Sequence, residues 1–434
     1  METSPGQRSH TPNPGPASTP AVGSGPVASR SGRLGPLVGI LLADVTCFAV
    51  VMPLLASYAA SFGAGAAAIG GLVATYSLMH FTLAPFWGRV SDRFGRRPVL
   101  LIGLIGTLAG SLVFAAAGSF ALLLLSRVVA GGMGATLNVA QAYAADESTP
   151  ERRTRAMGLL GAAFGLGFIL GPTIGAVTSR FGDAAPGLAA AAIAAVNLCV
   201  AWAALGEPTH HAPMPGVLPV RLLGPRGLLS PFVAAFCSTL AFTVIYVVFP
   251  LHAEQVLGFD RSRVGWLFAL VGLVAAVVQG WVVGRLAPRF GEGRLVRFGG
   301  LAMGGGLAML PAVAAGFGFF SPALFVIALA LTGAGFGLTS PAEAGYVSRR
   351  SGPHDQGRAM GLLQSVNAMA RIAGPVMAGV VMELGGAPAA FLVAAGAALG
   401  AAAAGAAMEK GLRTRGEGPS RSGRVATCPG TTES

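Results

Sequence analysis

Asp44 is the only formally charged residue between Arg33 and Arg89, and it stands inside the apolar run LLADVTCFAVVMP. If that run starts as a helix near Gly35, Asp44 lies about nine residues in, or roughly 14 Å along the axis. That is close to the middle of a hydrocarbon core, where an acid costs about 2.5–3.5 kcal/mol on insertion scales. Such a carboxyl must face a cavity or a partner. Because burial penalises its charged form, it can be loaded and unloaded with a proton. The alternative is an acid locked by a hydrogen bond with no part in transport. Arg127, in SRVVAGGMGAT, enters from the other side, about 10 Å deep if its helix starts near Phe120. A cation at that depth either forms a proton switch with Asp44 or bonds structurally to backbone carbonyls. His80, in YSLMHFTLAPFWG, is a candidate relay about 12 Å from the nearest basic loop; a structural histidine is its alternative. Asn138, Gln141, Gln364, Asn367 and Arg371 are further polar groups in apolar runs and candidates for substrate contacts, against a role in interhelical bonding. Arg371 suits an anionic substrate or a buried partner. Glu343 lies six residues before Arg349, and this places it near enough to the membrane boundary to be solvated, behind Asp44 in rank.

These residues need helices that cross a membrane. Of 434 residues, 53% are hydrophobic and 11% charged, too apolar for an ordinary soluble domain. Counting runs of about 20 apolar residues gives twelve, near 36–59, 67–87, 98–118, 120–144, 156–178, 186–206, 231–251, 264–284, 298–318, 322–346, 359–381 and 388–407. The fold expected is an all-α membrane protein, with twelve transmembrane helices in two pseudo-symmetric six-helix bundles. Its divisions are a disordered tail over 1–32, bundles over 33–206 and 231–408, a Pro-rich linker over 207–230 and a second tail over 409–434.

The charges fall where loops are expected. Arginines crowd the segments between runs two and three, four and five, eight and nine, and ten and eleven, while loops 1–2, 3–4 and 9–10 carry none. By the positive-inside rule both termini are cytoplasmic. The formal net charge of +12 is therefore topogenic and does not indicate nucleic acid binding. Cys47, Cys199, Cys237 and Cys428 show no CxxC spacing and read as packing residues, so no metal is expected. No Walker-type G-x-x-x-x-G-K-[ST] is present, and Lys410 is the only lysine, which sets ATP-driven transport aside. No nucleophile-base constellation supports an enzyme, and no cofactor is implied.

Two repeats relate the halves. RAMGLL occurs at Arg155 to Leu160 and at Arg358 to Leu363, each followed at equal distance by a Gly-Pro pair, Gly171-Pro172 and Gly374-Pro375. GRVSDRFG from Gly88 is echoed by GRLAPRFG from Gly284, with Pro288 in the place of Asp92. Two homologous bundles with a substrate held between them form the plan of a rocking carrier. Gly167, Gly171 and Gly175 form a flat stripe beside Pro172, suited to close helix approach or a hinge.

At this point the chain resembles the major facilitator superfamily. Gly88, Asp92, Arg93, Gly95, Arg96 and Arg97 occupy the places of its signature loop. Gly158, Gly167, Gly171, Pro172 and Gly175 are similar to the antiporter motif of its drug exporters, departing where Ala176 replaces a Gly. Arg127 and Gly131 resemble its motif in the fourth helix, with Ala130 in place of the usual Gln. With the first helix, these resemble the twelve-helix drug:proton antiporters, the group that includes tetracycline exporters. In that fold the 2–3 loop lies beside the start of helix 11, so the resemblance implies that Asp92 is stabilised by that helix N-terminus and latches the outward-facing state, tuned by Arg93, Arg96 and Asp146. A purely topogenic loop is the alternative.

The expected function is proton-coupled efflux of small lipophilic or amphiphilic compounds such as antibiotics, by alternating access. Its partners are a small-molecule substrate, protons and the lipid bilayer, and it acts as a multi-pass monomer of the plasma membrane. A metabolite importer or symporter of the same fold, and a non-transporting membrane sensor, are the competing readings.

Overall fold

The computed structural model describes residues 34–134, 136–148, 150–208, 228–314, 321–351 and 355–413. The N-terminal tail, most of the expected linker, Cys428 and the end of the chain lie outside them. The first half contains α1 (Leu34–Ser61), α2 (Ala66–Phe94), α3 (Arg96–Ala115), α4 (Phe120–Met133), α5 (Thr136–Glu147), α6 (Pro150–Thr178) and α7 (Ala185–Ala204). The second contains α8 (Leu229–Thr243), α9 (Ile245–Leu257), α10 (Arg261–Val277), α11 (Val283–Phe290), α12 (Glu292–Ala314), α13 (Ser321–Arg350) and α14 (Gln356–Arg413).

Several of these are parts of one crossing. The run expected over 120–144 breaks at Gly134, whose ψ of 54° is outside the helical range. Its neighbours Gly131 and Gly132 remove the side chains that would favour a continuous helix. Between α10 and α11 the chain makes a π-turn over Val278–Val282. The 58 residues of α14 would extend about 87 Å as a straight helix, far more than a bilayer's thickness. The chain instead breaks at Gly386, with φ 75° and ψ 175°, a conformation that only glycine adopts without strain. Among the described residues ten stretches are long and apolar enough to cross a membrane, and the one over Gln356–Lys410 contains this break. With Glu292–Ala314 between its neighbours, the described helices are consistent with twelve crossings. The last helix reaches Arg413, beyond the expected end at 407, because Glu409 packs back near Arg294, 3.8 Å away.

Small residues set the helix spacing, as the absence of a hydrophobic drive between helices in lipid requires. A Cβ on Gly167 would lie 2.7 Å from Val45 Cγ1, and one on Gly175 2.6 Å from the Val50 carbonyl oxygen. A Cβ on Gly171 would collide with Ala49. The glycine stripe thus seats α6 on α1, while Gly158 has open space around it. The α6 helix remains helical through Pro172.

Among the described residues the halves meet through α2 with α14, α6 with α10 and α1 with α9, mainly toward one end. There Gly265 approaches Ala176, Arg180 Nε donates to Ser262 Oγ at 3.0 Å, and Ser262 Oγ donates to the Ala176 carbonyl at 2.8 Å. Arg261 pairs with Asp183 and stacks 4.3 Å over the Tyr58 ring, and the Ala67 N–H donates to Glu383 at 2.9 Å. Toward the arginine-rich end burial fades. On α2 the residues buried between 69 and 77 give way to exposed Leu78, Phe81, Phe86 and Phe94, with only Gly88 and Ser91 buried beyond 77. On the crossing formed by α10 and α11 no residue after Ala275 is buried. The cleft therefore opens toward the arginine-rich end.

Candidate functional site

Asp44 on α1, Arg127 on α4 and Arg371 on α14 come within electrostatic reach of Tyr76 on α2. Asp44 is half-buried on α1, and Thr107 Oγ1 on α3 donates to its Oδ1 at 2.7 Å. Tyr76 on α2 lies within electrostatic reach of Asp44, Arg127 and Arg371. Its ring is 4.5 Å from that of Phe48 and stacks on His80, with centroids 6.2 Å apart at 9°. Gly131 lets α2 come this close, since a Cβ there would stand 2.5 Å from the Tyr76 carbonyl oxygen.

Arg127 is 3% exposed. Its Nε donates to Ser126 Oγ at 3.2 Å and its guanidinium lies 5.7 Å from the Phe114 ring centre. It forms no ion pair with Asp44; Tyr76 stands in reach of both. Arg371 reaches toward Tyr76 from one half and Tyr246 from the other, and His80 lies within its field. Asn367 Oδ1 accepts from Thr239 Oγ1 at 2.9 Å, which is an interhelical bond within the second half. Asn138 and Gln141 are half-buried on α5, and Gln364 is exposed on α14.

One placement differs from expectation. Glu343 is 2% exposed, not solvated. Its position six residues from Arg349 is near the end of α13, but α8 and α12 pack over that stretch, and Ser238 Oγ on α8 donates to its Oε1 at 3.0 Å. Asp92 accepts from Arg96 Nη1 at 2.6 Å, so in this arrangement it is held within its own half and not at the start of α14. Arg96 is wholly buried and also pairs with Asp146 at 3.0 Å. Arg97 donates to the Trp202 carbonyl at 2.8 Å, and Arg93 lies over Phe94. Gly95, at φ 103°, lets Glu207 accept from the backbone N–H groups of Arg96 and Arg97 at the start of α3. This fixes the first residues of the linker segment to the signature loop. The carboxylate faces the positive end of the α3 dipole.

Sequence reasoning missed Thr107, Tyr76, Ser238 and Glu207. Tyr76 is one turn before His80, and Thr107 is a hydroxyl in an otherwise apolar run, so a survey of every polar group in the runs would have found both. The aromatic lining was also missed. Phe242 stacks on Phe336 at 4.1 Å, and Tyr246 stacks on Phe268 at 5.6 Å. Together with Met52, Phe168 and Pro172, Phe242, Tyr246 and Phe268 line a small apolar cavity between the halves. Among the described residues no group of three or more His, Cys, Asp or Glu could hold a metal ion.

Known proteins resemble this chain in sequence and in fold. The sequence profile of the Major Facilitator Superfamily matches residues 37–314 and 231–426. The class B tetracycline resistance protein of Escherichia coli is 32% identical over 355 residues, covering 79% of this chain and 86% of that protein. Multidrug resistance protein 2 of Bacillus subtilis is 27% identical over 347 residues, 77% of this chain and 85% of that protein. The crystal structure of the human organic anion transporter MFSD10 superposes with a TM-score of 0.65 at 26% identity, covering 88% of this chain and 99% of that one.

Proposed function

The chain belongs to the major facilitator superfamily of membrane transporters, and on that footing we propose that it exports small lipophilic or amphiphilic compounds, antibiotics among them, in exchange for protons. It is a multi-pass transporter and not an enzyme. The observation that carries the reading is Asp44: one acid, half-buried at mid-membrane depth and held by the Thr107 hydroxyl without an ion pair. An acid so placed exchanges its proton against a substrate that occupies the same cleft. Relatives named for tetracycline and multidrug resistance support export over import. The aromatic cavity between the halves suits an apolar substrate body.

The halves, 33–206 and 231–408, rock about the linker 207–230 with helices sliding inside each half, and the protein acts as a monomer in the plasma membrane. The arginine-rich end and both termini face the cytoplasm. The arrangement described is then inward-open, sealed outside by Arg180, Asp183, Arg261 and Ser262. In the opposite state Asp92 leaves Arg96 for the start of α14. Gly167, Gly171 and Gly175 let α6 pivot on α1. His80, Arg127, Asn138, Gln141, Gln364, Asn367 and Arg371 line the route or neighbour it.

The test uses everted vesicles with an acidic lumen and tetracycline as the first probe. Substrate-induced proton efflux should appear in the wild type and fall at least about tenfold in Asp44→Asn, a loss of about 1.4 kcal/mol or more in coupling. Unchanged efflux in the mutant would move the proton site away from Asp44.

A further inference from the structure

Among the described residues Glu343 is a buried acid without an ion pair, and the cycle above has no use for it. It sits on α13 with 2% of its surface exposed, and its hydrogen-bond partner, Ser238 on α8, has none. Among the described residues no counter-ion pairs with it. Cys237 on α8 is in electrostatic reach, but a thiol supplies no positive charge. Arg371 on α14 reaches toward Tyr76 and Tyr246 instead. At the start of α12, Glu292 is engaged with Arg349 beyond Glu343 on α13. On α10 and α11, Arg285 lies over Trp281, its guanidinium 4.1 Å from the ring centre. One hydroxyl does not compensate an ionised carboxylate out of water, whereas a protonated carboxyl is satisfied by one or two hydrogen bonds.

The position also has a lever. Ser238 is followed by Thr239, which bonds Asn367 on α14, so neighbouring residues of α8 grip α13 and α14 separately. The α8 helix leads into α9 through Val244, and α9 packs on α1 across the interface between the halves. Movement of one half against the other therefore pulls on α8. Separation of Ser238 from Glu343 opens the carboxyl to water.

We propose that Glu343 is a second proton-carrying site, in the half opposite Asp44, so that two protons cross for each substrate exported. The proton arrives on Glu343 from a hydronium ion as the carboxyl O–H bond forms. It leaves to water as that bond breaks, with no other reactant needed. Each half then has one acid with one hydroxyl partner from a neighbouring helix: Asp44 with Thr107, and Glu343 with Ser238. The inference rests on the proton-coupled reading.

The experiment uses the full chain in proteoliposomes with the membrane potential clamped to zero and tetracycline as the probe. The steady-state tetracycline gradient is followed against the imposed pH difference. The wild type should show about two decades of gradient per pH unit, and Glu343→Gln about one, while tetracycline counterflow remains as evidence of a folded, binding-competent carrier. An identical slope in the two proteins overturns the proposal. A wild-type slope of zero instead overturns the proton-coupled reading. Infrared difference spectra between about pH 5 and about pH 9 then decide Glu343 separately. A carboxyl band that titrates in the wild type and vanishes in Glu343→Gln supports a reversible proton site, and spectra unchanged by the substitution exclude one.

Discussion

Gly171 in the first half and Gly374 in the second each precede a proline, and each presses into the first crossing of its own half. A Cβ on Gly171 would collide with Ala49 of α1, and one on Gly374 with Thr243 of α8. The repeat visible in the sequence thus preserves a backbone contact. Charge follows a different rule. Arg96 opens α3 and pairs with Asp146 at the end of α5. The corresponding residue after GRLAPRFG is Glu292, and it pairs with Arg349, which precedes the second RAMGLL by as many residues as Asp146 precedes the first. The ion pair has kept its place and exchanged its signs. Burial separates the two versions: the side chains of Arg96 and Asp146 are 0% and 2% exposed, but that of Arg349 is 65% exposed. Asp92 strengthens the first version, and its counterpart Pro288 has no charge to offer. Duplicated geometry, then, fixes where small residues stand, while each half is free to choose its own electrostatics.

Four substitutions and one charge exchange would sharpen this contrast. The largest effect is expected for Arg96→Ala, which strands Asp146 and should remove about 3–5 kcal/mol, read as a fall in thermal midpoint in lipid nanodiscs. Exchanging the signs by Arg96→Asp with Asp146→Arg should recover part of it; no recovery would mean that Ser91 and Asp92 tie the arginine side chain itself to this spot. Next, Gly171→Val and Gly374→Val should cost similar amounts, about 1–3 kcal/mol each from overpacking. A large difference between them would show that the repeat is preserved in sequence but not in packing. A smaller effect than that of Arg96→Ala is expected for Arg349→Ala, at about 1–2 kcal/mol, because water reaches the 65% exposed guanidinium although the Glu292 side chain it leaves is only 11% exposed. A cost as large as that of Arg96→Ala would remove the distinction between the halves.

The sequence announced the crossings well because a run of about 20 apolar residues has few other uses. It announced the Gly-Pro contacts because small residues at helical spacing imply close approach. The breaks at Gly134 and Gly386 were less legible, since many glycines here lie in unbroken helix and composition does not distinguish the two kinds. Glu343 was misplaced for a related reason. Distance along a helix to the nearest arginine measures depth, whereas solvation depends on which neighbours cover that level. Asp44 was found from its isolation among apolar residues, but its partner Thr107 is on another helix, and a single sequence holds no record of that pairing.

The π-turn at Val278–Val282 has a consequence for which way the basic end of its crossing points. One extra residue in a turn advances everything beyond it by about 100° relative to an unbroken α-helix. Arg285 and Arg289 therefore face directions that a helical wheel drawn from Arg261 assigns to their neighbours. Deleting Gly280, which has open space at its Cβ position, would restore the ordinary winding and swing both guanidinium groups around the axis. The π-turn thus sets the bearing of a positive surface, and it does so without contributing a charge of its own.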